Sequence, residues 1–289
     1  MTDPILRPRR SVLYLPGTNE RALAKAKTLP VDALILDLED SVAPDAKVEG
    51  RERVCGVVDA YDSREVTIRV NGIGTPWHAD DVRAVAKAGP AAIVVPKVNS
   101  AEDVHAVERA LEAAGAPERT AIWAMLETPI AMLHAHAIAS ASERLTVLVM
   151  GTNDLAKELH ADHVPGRAPL LGGLSLALLG ARAAGKVILD GVYNDVRNLD
   201  GFAEECLHGK QFGFDGKTLI HPSQVEPCNR LFAPSDDEVA YSRRVIEAFE
   251  AAASEGRGVV TVDGHMIENL HVDNARRVLA LARAIHDCG

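Results

Sequence analysis

Cysteine is scarce in this sequence. The four present among 289 residues, Cys55, Cys206, Cys228 and Cys288, lie far apart and form no C-x-x-C pair. Neither a zinc site nor a disulfide framework is expected, and a reducing cytoplasm fits. Basic charge is in deficit: the formal net charge is -10, which argues against a nucleic-acid binder, since that would need a basic face. Long hydrophobic runs are missing as well. The most apolar stretch, LLGGLSLALLGA at 170–181, is shorter than the about 20 residues that cross a bilayer. It reads as a buried helix, so no membrane partner is expected. The opening residues MTDPILRPRRSV hold no apolar signal core, and no internal repeat or low-complexity segment is apparent. What remains is 47% hydrophobic and 25% charged, the profile of a globular protein. The length suits one large α/β barrel or two ordinary domains.

Short apolar, β-branched runs recur along the chain. SVLYLPG starts at Ser11, DALILDLED at Asp32, EVTIRVN at Glu65, AAIVVPKV at Ala91, AIWAMLET at Ala121, LTVLVMGTND at Leu145, KVILDGVYND at Lys186 and GKTLIHP at Gly216. Ala/Leu/Glu/Arg-rich segments of helical periodicity separate most of them. Eight strands alternating with helices predict a (β/α)8 TIM barrel over residues 1–225, with a doubly wound sheet as the alternative. Residues 226–289 lie beyond the eighth strand and predict a C-terminal helical extension reaching a neighbouring subunit. It opens on a capping box, Ser235 with Glu238.

Strand side chains alternate between faces, so parity sorts the charged residues. Leu34, Leu36 and Leu38 share one face, and Asp37 and Glu39 take the inward one. Ile68 and Val70 face helices, so Arg69 and Asn71 point in. Ile122, Ala124 and Leu126 face helices, so Trp123, Met125 and Glu127 point in. Three strands thus aim charge inward near their C-terminal ends, where barrels of this type hold their active sites. Buried charges must be paired, hydrated or bound to a cation. Glu127, the lone charge in AIWAMLETPIAM, is therefore read as a metal ligand, with Asp154 as the second. Two carboxylates completed by water and an oxygen-rich substrate suit Mg²⁺, with Mn²⁺ as a substitute. The competing role for Asp154 is an N-cap of the helix that follows. The Gly151-Thr152-Asn153 turn exposes backbone N–H groups beside it. Arg7, Arg9, Arg10 and Lys25 make local positive charge suited to phosphates, or simply a solvated basic terminus. His221 and Pro222 read as structural.

Several motifs in fixed order carry a resemblance: RSVLYLPGTNERALAKA, ALILDLEDSVAPDAK, IRVNGIGTPW, VVPKV, ETPIAM, GTNDLAKEL, GVYNDVRNLDGF, FGFDGKTLIHPSQV and DGHMIENLHVDNARRVL. They run almost end to end. The chain resembles the citrate lyase β-subunit-like CoA-ester lyases of the HpcH/HpaI aldolase/citrate lyase family, malyl- and citramalyl-CoA lyases among them. The resemblance implies Mg²⁺ on Glu127 and Asp154, and Arg69 as the substrate-binding and charge-stabilising arginine. It also implies that the N–H groups of Gly151, Thr152 and Asn153 bind the oxo-acid carboxylate. Asp37 and Glu39 then support metal, water or Arg69 in catalysis. Arg10 and Lys25, around the P-G-x-N-x-R segment, would bind CoA. An acidic residue of the C-terminal segment would complete a neighbour's site, Glu268 here or less readily Asp263, in a homo-oligomer, either a trimer or a hexamer. Two departures stand out: Asn153 replaces a carboxylate common at that position, and Glu268 replaces an Asp. The implied reaction is reversible cleavage of a 3-hydroxyacyl-CoA such as malyl-, citramalyl- or citryl-CoA into an acyl-CoA and a 2-oxo acid. The alternatives are a malyl-CoA thioesterase, a CoA-independent aldolase, and a β-subunit acting on a carrier-bound substrate inside a complex.

Overall fold

The computed structural model of the chain describes residues 7–61, 64–254, 256 and 258–288. The first six residues of the opening segment lie outside that range. The chain divides into two compact units, Arg9–Arg230 and one built mainly from Leu231 onward. The boundary expected at 225/226 marks the start of a helix, and the division falls near that helix's end.

In the first unit eight parallel strands close on themselves: β1 (Ser11–Pro16), β2 (Ala33–Asp37), β3 (Glu65–Arg69), β4 (Ala92–Val95), β5 (Ala121–Leu126), β6 (Leu145–Met150), β7 (Val187–Asp190) and β8 (Gly216–Leu219). Val12 of β1 pairs with Thr218 of β8, which closes the barrel and excludes the open doubly wound sheet. The helices are α1 (Glu20–Ala26), α2 (Lys47–Gly56), α3 (His78–Ala88), α4 (Ala101–Ala113), α5 (Pro129–Leu133), α6 (Ala135–Ala139), α7 (Thr152–Glu158), α8 (Leu171–Ala183), α9 (Leu199–Phe212) and α10 (Val225–Phe232).

Local chemistry sets the helix starts. Ser100 and Asp103 close a capping box on α4. The Thr128 hydroxyl caps α5 at Ala131 N–H, with Pro129 pre-set in the first turn. The Thr-Pro pair after Glu127 is therefore a helix start that turns the chain away just past the carboxylate.

The parity rule holds within the strands. Ile35, Val94, Trp123, Met125, Val147 and Leu189 pack together inside the barrel, and the alternate residues meet the helices. It fails one step beyond β3: Asn71 turns to Asp81 of α3, which accepts from its backbone and side-chain N–H groups at 3.0 and 2.6 Å. Helix α8 also departs from expectation. Leu174, Ala177 and Ala181 are buried, but Leu176 and Leu179 are 43% and 67% exposed. An outer-ring helix has only one face on the barrel, so this apolar helix is buried along one side and leaves leucines exposed on the other. Among the described residues no helix is long and apolar enough to cross a membrane.

The second unit holds α11 (Asp236–Ser254), a hairpin of β9 (Val260–Val262) and β10 (His265–Ile267), and α12 (Asn269–Cys288). The expected Ser235–Glu238 box caps α11. The hairpin turns through Asp263 (φ 48°) and Gly264 (φ 83°), the two left-handed residues that a tight type I′ turn needs. Val245, Val262, Ile267, Val272 and Ala275 form the unit's own core. Of the apolar patch expected around Glu268 only Ile267 is buried; Met266 and Leu270 are 64% and 62% exposed.

A charged network lies buried behind β7 and β8. Lys217 Nζ donates to Asp190 at 3.1 Å and to Glu205 of α9 at 2.7 Å. Arg167 donates to both Asp190 oxygens at 2.6 and 2.8 Å. Burial would raise the Asp190 carboxyl, but Lys217 and Arg167 outweigh it and hold it low. Removing one partner of such a set strands a charge, at about 3–5 kcal/mol. Lys217→Met keeps the aliphatic stem and is expected to lower unfolding free energy by about that much in a urea titration. A loss below about 1 kcal/mol would mean that the network is energetically neutral.

Candidate active site

The C-terminal ends of β2, β3, β5 and β6 bring together most of the residues singled out above. Arg69 forks onto Asp37, with Nε at 2.6 Å from Oδ1 and an NH2 nitrogen at 2.8 Å from Oδ2. Its other nitrogen lies 2.9 Å from Glu39 and 3.6 Å from the exposed Asp40. The guanidinium rests on the ring of Tyr14, 4.9 Å from the centroid. Burial would raise Asp37, yet Arg69, Ser41 and the Glu39 N–H hold its carboxyl below the usual range. The charge of Arg69 is thus largely committed to Asp37. Burial pushes Glu39 up to about 8, with Arg69 pulling it only partly back.

Glu127 lies buried just past the end of β5. Its Oε1 accepts from the Lys97 N–H at 2.7 Å. Lys97 adopts a left-handed backbone (φ 53°), uncommon for a residue with a side chain. Burial, then repulsion from Asp154, raises Glu127 to about 7. Lys97 Nζ reaches Asp154 at 3.8 Å and Glu39 at 4.0 Å. Gly151 makes this packing possible: a Cβ there would fall 2.3 Å from the Glu127 carboxylate.

Asp154 is not an N-cap. Helix α7 begins at Thr152 with Gly151 before it, and Asp154 sits in its first turn. The N–H of Gly151 is spent on Leu126 O at 3.0 Å, which removes it as a substrate donor. Thr152 and Asn153 start the helix, where N–H groups have no intrahelical acceptor. The Asn153 side chain is tied to Asn194 by two reciprocal amide bonds of 2.8 and 3.1 Å. A cavity of about 390 Å³ is lined by Tyr14, Arg69, Met125, Glu127, Asp154 and neighbours.

Arg10 and Lys25 are not brought to this cluster. Arg10 precedes β1, at the opposite end of the barrel, and its guanidinium forks onto Asp32 at 2.8 and 2.9 Å. Lys25 is exposed in the last turn of α1, on the way back to that end. Asp263 is a turn residue held by Arg244 at 2.8 Å. Glu268 is exposed just before α12, and its carboxylate has no partner among the described residues. His221 caps the turn after β8 by accepting from Ser223 N–H, the expected structural role. Tyr14, Lys97 and the Asp190–Lys217 network escaped sequence reasoning. Parity could have found Tyr14, two residues after inward-facing Val12; nothing local announces the left-handed Lys97.

The donor set fits a hard divalent cation. Asp37, Glu39, Asp40, Glu127 and Asp154 gather around Arg69 and Lys97, so carboxylates outnumber the cations even with Glu39 protonated. No three His, Cys, Asp or Glu side chains converge among the described residues. Two carboxylates completed by water and substrate oxygens describe Mg²⁺ better than zinc or a calcium cage.

A closed parallel barrel with an acidic, arginine-bearing C-terminal mouth is the architecture of a metal-assisted enzyme. The chain belongs to the HpcH/HpaI aldolase/citrate lyase family, whose model matches residues 10–222. A second model, described as a C–C bond lyase of the TIM-barrel fold, matches residues 176–285. Over 280 residues the chain is 50% identical to a (3S)-malyl-CoA thioesterase of Cereibacter sphaeroides, covering 96% of each. It is 39% identical over 283 residues to the citrate lyase subunit beta of Escherichia coli, covering 96% of this chain and 94% of that one. A crystal structure of CitE from Mycobacterium tuberculosis in complex with magnesium, acetoacetate and coenzyme A superposes with a TM-score of 0.77. The two are 28% identical, with 94% and 97% of the chains covered.

The raised carboxyls make stability depend on pH. Glu127 ionises near 4.5 when unfolded but near 7 when folded, and Glu39 near 4.5 and 8. Between those values the folded state binds more protons, so stability falls as pH rises, by roughly 3 kcal/mol at most for Glu127. Urea titrations in EDTA are expected to give lower stability at pH 8 than at pH 5. Glu127→Gln should flatten part of that fall, and Mg²⁺ should restore the wild-type protein at pH 8. A flat wild-type profile in EDTA contradicts the charge imbalance.

Proposed function

We propose that this protein is a Mg²⁺-dependent thioesterase acting on a short 3-hydroxyacyl-CoA of the malyl-CoA type. The Glu127–Asp154 pair beside Arg69 carries the reading, because it suits the hydroxyl and carboxylate oxygens of such an acid. Half identity along 96% of the chain to a malyl-CoA thioesterase favours hydrolysis over carbon–carbon cleavage. Bound at Glu127 and Asp154, the cation supplies Lewis acidity and a template for those two oxygens.

The chain's own groups do the rest. Arg69 stabilises the oxygen on which negative charge develops, and its fork onto Asp37 fixes the guanidinium plane. Such a donor contributes about 3–4 kcal/mol. The first-turn N–H groups of Thr152 and Asn153 receive the substrate's free carboxylate. Glu39, which keeps its proton near neutral pH, holds a proton beside Arg69. A second carboxylate takes the proton from the attacking water: we assign this to Glu268 of a neighbouring copy, since it is exposed and unpaired while Asp263 is held by Arg244. Water adds to the thioester carbonyl, the carbon–sulfur bond breaks, and the CoA sulfur leaves with a proton.

A second reading is cleavage of the carbon–carbon bond, favoured by the family model described as a C–C bond lyase and by the citrate lyase relatives. Incubating the purified chain with malyl-, citramalyl- and citryl-CoA while following free thiol and 2-oxo acid separately distinguishes them. Thiol release without oxo acid is expected. Oxo acid without thiol moves the assignment to a lyase, and inertness toward every soluble CoA ester moves it to a subunit for carrier-bound substrate.

Arg69→Lys keeps the charge but loses the fork. It is expected to lower kcat by roughly 100-fold or more, whereas a change confined to KM marks a binding role alone. For Glu268, mixing inactive Glu127→Ala and Glu268→Ala variants under subunit exchange should restore part of the activity. No recovery despite demonstrated exchange removes the cross-subunit assignment.

A further inference from the structure

Tyr14 stands on the cavity wall beside Arg69, and the reaction above gives its hydroxyl no role. Alternation along β1 puts Val12 and Tyr14 on the inner face, and Tyr14 packs against the barrel interior. Its ring is fixed from above by the Arg69 guanidinium, 4.9 Å from the centroid. Its hydroxyl meets the thioether of Met125 at 3.8 Å. A thioether is a weak acceptor, so the phenol's donor has no strong acceptor among the described residues. The same cavity is lined by Tyr14, Met125, Arg69 and Glu127, so an incoming oxygen meets the phenol and the guanidinium on one wall.

We infer that the Tyr14 hydroxyl is a substrate-binding donor that exchanges its Met125 contact for an oxygen of the bound acid, beside the oxygen held by Arg69. This rests on the proposed reading that the cavity takes a small oxygen-rich acid. A donor fixed on the cavity wall discriminates strongly, because a substrate lacking the matching oxygen leaves it unpaired. Tyr14 would then select acids with an oxygen at that point over those with a methyl or hydrogen there. The competing role is packing alone, in which the ring supports Arg69 and the hydroxyl is incidental.

Tyr14→Phe separates the two, since it keeps the ring under Arg69 and removes only the O–H. The probes are Mg²⁺ alone, and glyoxylate and oxalate in saturating Mg²⁺, with dissociation constants measured by calorimetry on the full chain. For Tyr14→Phe, Mg²⁺ binding and the urea midpoint are expected to stay as in wild type. Oxo-acid affinity should drop roughly 10-fold, and kcat/KM for the CoA ester by 10- to 100-fold. Unchanged oxo-acid affinity and kcat/KM overturn the inference and leave Tyr14 as packing. Wild-type protein that binds Mg²⁺ but neither acid overturns the small-acid reading itself, and Tyr14's role with it. Loss of Mg²⁺ affinity in Tyr14→Phe also overturns it, because the hydroxyl would then be supporting the metal site.

Discussion

The fork between Arg69 and Asp37 is the interaction on which the mouth of this barrel depends. Both side chains are buried, set above a barrel interior packed with Ile35, Trp123 and Met125. Losing one would strand the other as an isolated charge, which costs far more than the pair contributes. Once Asp37 has claimed the guanidinium, the remaining carboxylates compete for what is left. Glu39 is held at 2.9 Å from the same cation yet stays hard to ionise, and Glu127 faces burial and Asp154 with the Lys97 N–H, Arg69 and the half-exposed Lys97 ammonium only partly offsetting them. The excess negative charge is therefore a consequence of strand alternation plus one shared arginine. It gives the site an appetite for a divalent cation without a dedicated cage.

Much of this was legible in the sequence, and the failures have identifiable causes. The eight strands stood out because apolar, β-branched runs in a barrel are buried on both faces, and parity then assigned Asp37, Arg69 and Glu127 to the interior. Parity depends on straight extended backbone, however. At Asn71 the chain has already left β3, so its side chain goes to α3. Lys97 was unreadable for the same reason: past β4 the backbone turns left-handed, and that turn aims its N–H at Glu127. Arg10 and Lys25 lie away from this cluster. Proximity in sequence to the P-G-x-N segment suggested a shared role, but the six residues of β1 at about 3.3 Å each put roughly 20 Å between its two ends. Charge at one end of a strand says nothing about the site at the other.

The small residues of the mouth follow the same logic. Gly151 lies where β6 gives way to α7, and the absence of a side chain there lets the Glu127 carboxylate lie against the backbone. Its N–H extends the barrel ladder to Leu126 and so fixes the start of α7 relative to β5. Asp154, in the first turn of that helix, inherits its position from this contact. The two proposed ligands are thus placed by backbone geometry and not by a pairing between them, which two carboxylates could not form.

Hydrolysis and carbon–carbon cleavage ask the same of this constellation up to one point. Both need a hard cation for the acid end, a donor for the developing oxyanion, and a group to move a proton. They part at what that last group acts on, a water or the substrate's own hydroxyl. At the strand ends Asp37 is committed to Arg69, Glu127 and Asp154 are the proposed cation ligands, and Glu39 keeps its proton near neutrality, which leaves the exposed Asp40, 3.6 Å from Arg69, at the rim. The neutral Asn153–Asn194 pair on the rim supplies no base. With Glu268 proposed as the proton acceptor, the outcome hinges on whether water sits between it and the thioester.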